Sequence, residues 1–257
     1  MYKQKISVTV NSNFDKEKIF EEFEILLANY YKNGQIQGDY ETPFINKNEI
    51  IAYQTTIERN SLSKKYNDEY TSKRIKNIEL WSNSKIITEV IGVVPNVKDT
   101  CRCKKHKYFV LFTHVFNETS PLDCGTCGKV IPIYKLENLT TSNRQEIFNW
   151  ESNYKSCDIL QLRCTVGEQW ATKQMSDPNS QLSKHGLEVC KMIKRLTGVP
   201  TFYYLYNYRY ISPQKDKARA CPSCKGKWLL KKQLHNFYDF KCDKCKLISS
   251  FSPNSNR

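Results

Sequence analysis

CPSCKGKWLLKKQLHNFYDFKCDKC, residues 221–245, decides how this chain is read. It holds two C-x2-C pairs, Cys221 with Cys224 and Cys242 with Cys245, with 17 residues between the pairs. Two residues between paired cysteines let a tight turn aim both sulfurs at one point, and four such sulfurs satisfy tetrahedral Zn2+ at about 2.3 Å. The spacer suits a hairpin: Trp228, Leu229 and Leu230 lead out of the first knuckle and residues 237–241 (FYDFK) lead back into the second. Residues 247–251 (LISSF) follow as a third strand. The spacing predicts a zinc ribbon; disulfides are the rival, and they belong to small secreted scaffolds rather than to a chain of this length.

Outward from that stretch, the 257 residues suffice for one sizeable core plus smaller modules. The opening residues, MYKQKISVTV, lack the apolar run of a secretory leader, and no stretch of about 18 apolar residues occurs. The expectation is a cytoplasmic protein without membrane association. In that compartment its 11 cysteines stay reduced unless metal takes them. Forty basic and 26 acidic residues give a formal charge of +14, unevenly spread. Residues 1–97 balance at 13 of each sign, and residues 213–257 alone carry 11 basic against 3 acidic. Each zinc held by four thiolates contributes −2, so two sites leave about +10. Such an excess favours an anionic partner, nucleic acid first, against the bland reading of a solvated basic surface.

The fold class expected is α+β in three parts. Residues 1–97 read as a β-α-β-α-β domain: a strand over 5–10, a helix carrying Ile19, Phe20, Phe23, Leu26, Leu27 and Tyr30 on one face, a strand over 50–59, a helix near 68–81 and a strand over 85–94. Residues 98–212 read as a central cysteine-bearing β unit with helices near 143–164 and 181–197. Residues 213–257 form the terminal ribbon, joined by a basic linker over 211–220 and ending in a frayed SPNSNR. The central unit repeats the metal theme, with Cys101 and Cys103 set against Cys124 and Cys127 across a strand-rich interval. Three readings stay open there: a second four-cysteine zinc site, a site in which Cys103 and His106 form a C-x2-H half, or no metal. Cys157, Cys164 and Cys190 read as core thiols, and His114 and His185 as structural histidines. TFYYLYNYRY (201–210) reads as a packed strand with Phe202, Tyr204, Tyr206, Tyr208 and Tyr210 on one face, base stacking beside Arg209 being the alternative.

YKQKISVTV, NGQIQG, SPLDCGTCGKVIPIYKL, LTGVPTFYYLYNYRY, CPSCKGKW and FYDFKCDKCKLISSFS span most of the chain. Together they resemble a prokaryotic family of uncharacterised proteins described as containing a Zn ribbon and suspected of binding nucleic acid. The resemblance implies a C-terminal zinc site at Cys221, Cys224, Cys242 and Cys245 and supports Cys124 and Cys127. It implies no established reaction.

The function expected is non-enzymatic binding of nucleic acid, RNA or single strands before duplex, since nothing resembles a helix built for major-groove reading. Lys225, Lys227, Lys231, Lys232, Lys241, Lys244 and Lys246 are the candidate phosphate contacts and Trp228 the candidate stacking ring, with Phe237, Tyr238 and Phe240 nearby. The alternative is a zinc-scaffolded adaptor or immunity-type module for an acidic protein partner. A nuclease comes third, because all-cysteine sites are closed and Asp123, Asp158, Glu168 and His114 show no acid-base spacing.

Overall fold

Alternating apolar side chains in β1 (Tyr2–Thr9) put Ile6 and Val8 on one face, and the helical repeat of Ile19, Phe23, Leu26, Leu27 and Tyr30 gives α1 (Lys16–Lys32) the stripe that covers them. The structure is a computed structural model that describes residues 1–11, 13–38, 41–95, 97–208 and 211–252. Asp15 caps α1 by accepting from the Glu17 N–H at 2.9 Å. A hairpin of β2 (Phe44–Asn46) and β3 (Glu49–Thr56) follows, then α2 (Glu69–Ser82), capped by Asp68 through the Thr71 N–H at 2.8 Å, and β4 (Ile87–Val93). The sheet order is β2-β3-β1-β4, antiparallel throughout. The expected β-α-β-α-β order thus stands with one strand added: β2 is only three residues long and exposed, too short for period-2 alternation to reveal.

Two compact units divide the chain. The first comprises Met1–Thr100, Glu118–Ser120 and Val130–Gln145; the second comprises Cys101–Asn117, Pro121–Lys129 and the chain from Glu146. Residues 130–145 return to the first unit through polar ties. Tyr134 donates to Glu58 at 2.8 Å and shares a hydrogen bond with Ser61, Thr141 donates to Asp68 at 2.8 Å, and Arg144 donates to the Asn33 side chain at 2.5 Å.

The second unit is a six-stranded sheet in the order β6-β5-β7-β10-β9-β8. β5 (Phe109–Leu111), β7 (Thr201–Tyr204) and β10 (Leu247–Ser249) are parallel; β6 (Leu122–Cys124), β9 (Tyr238–Cys242) and β8 (Leu229–Leu234) run against their neighbours. The ribbon strands therefore continue the central sheet. Every residue of β7 is buried, because both its faces are covered. Phe202 and Tyr204 pack with Val110, Tyr238 and Ile248 on one side. On the other, Tyr203 meets Trp150 of α3 (Thr141–Arg163) at 5.9 Å and lies where Gly186 of α5 (Gln181–Thr197) leaves no room for a Cβ. Helix α4 (Glu168–Ser176), between α3 and α5, had no counterpart in the sequence reading: its nine residues follow the αL turn at Gly167. Cys157 and Cys190 are buried as expected, whereas Cys164, just past α3 with φ 51°, is exposed and is not a core thiol.

Residues 211–220, read as a linker, form an ordered elbow around α6 (Pro213–Lys217). Its Asp216 is fully buried and accepts from Ser252 N–H at 2.7 Å, Arg219 Nε at 3.1 Å and Asn207 Nδ2 at 3.3 Å. Ser252 is correspondingly buried rather than frayed, and 253–257 lie outside the described residues. Among the described residues, no helix is long and apolar enough to cross a membrane.

Removing a buried carboxylate that satisfies three donors strands them, so Asp216→Ala is expected to cost about 3 kcal/mol. Urea denaturation followed by near-UV circular dichroism measures this, and a loss below about 0.5 kcal/mol contradicts the role given to the elbow.

Candidate metal centres

A recurring backbone turn aims the sulfurs. At the first ribbon knuckle, Cys221 N–H donates to the Gly226 carbonyl at 2.9 Å and Lys225 N–H to the Cys221 carbonyl at 2.8 Å. The central knuckle repeats this pattern: Cys124 N–H donates to Lys129 O at 2.8 Å and Gly128 N–H to Cys124 O at 2.7 Å. The residue after the second cysteine takes positive φ in all three C-x2-C turns, at Gly128 (71°), Lys225 (58°) and Lys246 (55°). That left-handed residue reverses the chain, as glycine does most easily. The fourth turn is the shorter C-x-C, where Cys103 N–H reaches the Cys101 sulfur at 3.3 Å.

These turns bring Cys101, Cys103, Cys124 and Cys127 together, and separately Cys221, Cys224, Cys242 and Cys245; within each set all four sulfurs lie within 4.8 Å of one another. Sulfurs 3.4 Å apart at Cys101–Cys127 and 3.6 Å apart at Cys224–Cys242 are close to the ~3.8 Å edge of a ZnS4 tetrahedron with 2.3 Å bonds. Both sets therefore fit Zn2+ in donor type, number and spacing. His106 approaches two of the central sulfurs, with Nδ1 3.6 Å from Cys124 and 3.9 Å from Cys101, but the mutually close set is the four sulfurs. The histidine stands as an outer partner that orients thiolates.

Electrostatics point the same way. Burial raises the Cys124 thiol, yet hydrogen bonds from the Cys127 N–H, His106 and the Thr126 N–H outweigh it and bring the thiol to about 6. Cys224 is lowered to about 7, chiefly by the Gly226 N–H. Their neighbours move oppositely: burial, then nearby sulfurs, pushes Cys245 up to about 12, and Cys101 is raised for the same reasons. Within each set N–H donors draw one thiol toward ionisation, while burial first and neighbouring sulfurs second hold others toward the protonated form. A dication removes that conflict.

The other sequence-derived candidates separate by exposure. Lys225, Lys227, Lys231, Lys232 and Lys244 are exposed. Lys241 and Lys246 are occupied within the protein: Lys241 Nζ pairs with Asp243 at 2.6 Å and sits 4.3 Å above the Phe202 ring, and Lys246 Nζ lies 5.0 Å from the same ring. Trp228 is only 3% exposed, so it cannot offer a ring face to a base. Its indole N–H donates to Arg219 O at 2.9 Å, and the Arg219 guanidinium covers its ring, because a small ribbon needs this tryptophan as its own core. Tyr238 and Phe240 are buried too. Phe237 packs on Phe112 at 5.5 Å, and Arg209 and Tyr210 lie outside the described residues. His114 and Asp158 line one pocket, where Asp158 already accepts the Val115 N–H at 2.7 Å; Asp123 sits in β6 and Glu168 on α4. Sequence reasoning missed His235, whose Nε2 approaches the Gly125 carbonyl at 2.9 Å and ties the β8–β9 turn to the central knuckle; an isolated histidine carries no local signal of such a contact.

Three family models match the chain: the domain of unknown function DUF8589 over residues 1–92, DUF2310 over 103–206 and DUF8594 over 211–255. Two curated proteins of Haemophilus influenzae, each called "Uncharacterized protein", are 36% identical over 166 residues, or 65% of this chain, covering 82% of one relative and 64% of the other. The chain belongs to the family of these bacterial proteins. No solved structure matches it.

Two zincs per chain are expected by atomic emission. Cys242→Ser should reduce this to one and loosen the sheet that β9 and β10 share with β7 while sparing the first unit, since a structural zinc contributes roughly 10–16 kcal/mol of apparent binding energy; an unchanged content of two contradicts the assignment. Gly128→Ala should destabilise the second unit by about 1–3 kcal/mol, because its φ is 71° and the added Cβ would lie 2.8 Å from the His235 ring. Thermal melting compared with Gly92→Ala, whose Cβ meets nothing within 4 Å, checks this.

Proposed function

We propose that this is a cytoplasmic, non-enzymatic nucleic-acid-binding protein in which two zinc ions brace a sheet and the terminal ribbon presents cations to phosphates. The supporting observation is the separation of roles within the ribbon. Its aromatic residues Trp228, Tyr238 and Phe240 are spent on packing, while Lys225, Lys227, Lys231, Lys232 and Lys244 remain exposed on the same zinc-braced scaffold. Lysines held on a rigid surface bind anions by releasing condensed counterions, without needing to read sequence. The sulfur tetrads are coordinatively closed, which suits a scaffold and leaves no position for an activated water. Eleven thiols without a disulfide agree with a reducing compartment. RNA and single strands are favoured over duplex, because the exposed lysines sit on strands and turns rather than on a helix shaped for the major groove.

Fluorescence anisotropy with short RNA and single-stranded DNA across a salt series tests the reading. If all five exposed lysines meet phosphate, log K falls with log salt at a slope of about −3.5, and the double variant Lys231→Glu, Lys232→Glu flattens that slope by about 1.4. Undetectable binding at low ionic strength, or salt-independent binding, overturns it, as does an acidic protein partner retained after nuclease treatment in place of any oligonucleotide.

A further inference from the structure

A large concavity of the second unit lies away from the β8–β9 hairpin. It is a groove of about 1150 Å3 between α4, the segment that leaves β7, and the elbow that leads into the first zinc knuckle. Its volume exceeds the ~300–1000 Å3 usual for a small-molecule pocket. Trp170 on α4 borders it and is 55% exposed, and Tyr208, on the segment that leaves β7, is 41% exposed. Tyr206 lies beside Tyr208 with ring planes 22° apart and centroids 6.5 Å apart, so the rings form a stepped platform. Lys173, one helical turn beyond Trp170, joins Lys215 of α6 and Lys225 of the knuckle as exposed cations along the groove. Glu168 and Asp177 are the carboxylates among the lining residues besides these; Asp177 is engaged in accepting the Asn179 N–H at 2.9 Å.

We propose that this groove is the seat of a single strand of nucleic acid, whose bases stack on Trp170 and Tyr208 while Lys173, Lys215 and Lys225 follow its phosphates. The inference rests on the nucleic-acid reading above and moves the base-contacting surface from the ribbon to the cleft beside it. Exposed tryptophan and tyrosine rings have apolar faces that water leaves unsatisfied, and every base offers a π face to cover them. Exposed cations and exposed rings line the same groove, which supplies both of the contacts a single strand needs, one for phosphate and one for base. The groove also suits a strand rather than a duplex, since stacking on protein rings needs bases free of their own partners. Lys225 belongs both to this groove and to the set of exposed ribbon lysines, so one backbone continues from the cleft onto the zinc knuckle.

The test uses the full-length zinc-loaded chain and fluorescein-labelled 12-residue oligouridylate, oligothymidylate and a blunt duplex of the same length. Trp170→Ala and Tyr208→Ala should each weaken binding to both single strands roughly tenfold, and Trp170→Phe should restore most of the loss, because a phenyl ring still stacks. Binding should quench the intrinsic fluorescence of the wild-type protein but scarcely that of Trp170→Phe, since Trp150 and Trp228 are buried and Trp81 is stacked on Phe14. If wild type binds the oligonucleotides and both alanine variants match it, the groove is overturned while the ribbon reading survives. If wild type binds none of the three probes, both fall. A tenfold preference for the duplex, or competition by polyglutamate as effective as by oligouridylate, also overturns the groove.

Discussion

The crowding of four cysteine sulfurs into one small volume, twice over, governs the second unit. Within each set the four sulfurs lie within 4.8 Å of one another and do not ionise alike: burial first, then neighbouring sulfurs, raises Cys101 and Cys245, while N–H donors lower Cys124 and Cys224. A closed-shell dication turns the same crowding into cohesion, because each sulfur then faces a charge of opposite sign at bonding distance. The knuckle hydrogen bonds, the positive-φ residues and the outer approach of His106 all serve to hold sulfurs at a spacing that fits Zn2+.

The two cysteine sets are tied to one sheet. Cys124 ends β6, Cys242 ends β9, and the strands between them are the buried β5, β7 and β10. Aromatic packing carries the load across this span: Phe202 and Tyr204 on one face, Tyr203 against Trp150 on the other, with Lys241 and Lys246 laid over Phe202. Those two lysines illustrate why a charge count overstates a binding face. Their ammonium groups serve aromatic rings, and charge that contributes to packing is less open to a ligand.

Much of this was legible in the sequence, and the exceptions are instructive. C-x2-C spacing encodes a local turn, so the terminal cysteine set could be grouped from residue order alone, whereas the C-x-C at Cys101 and Cys103 left the central set open until the fold grouped it; the helical repeats of α1 and α5 announced themselves through Phe23, Leu26, Val189 and Ile193. Strand partners were not legible, because pairing of β7 with β10 joins residues more than forty positions apart with no periodicity to mark it. Trp228 misled for a physical reason: a tryptophan beside lysines looks the same in sequence whether it faces solvent or fills a core, and the ribbon's small size decides for the core. Conversely, Trp170 went unnoticed because nothing in a nine-residue helix signals that its ring stays outside.

The parallel pairing of β7 with β10 sets an order on biosynthesis. A ribosome that has translated as far as residue 220 has delivered β5, β6, β7 and the helices that flank them, but β7 still lacks the neighbour that hydrogen-bonds its second edge through Tyr203 and Leu205. Until the last strand emerges, that aromatic edge is open to any other nascent chain. Premature termination before β10 would therefore yield a sticky fragment rather than a smaller working protein.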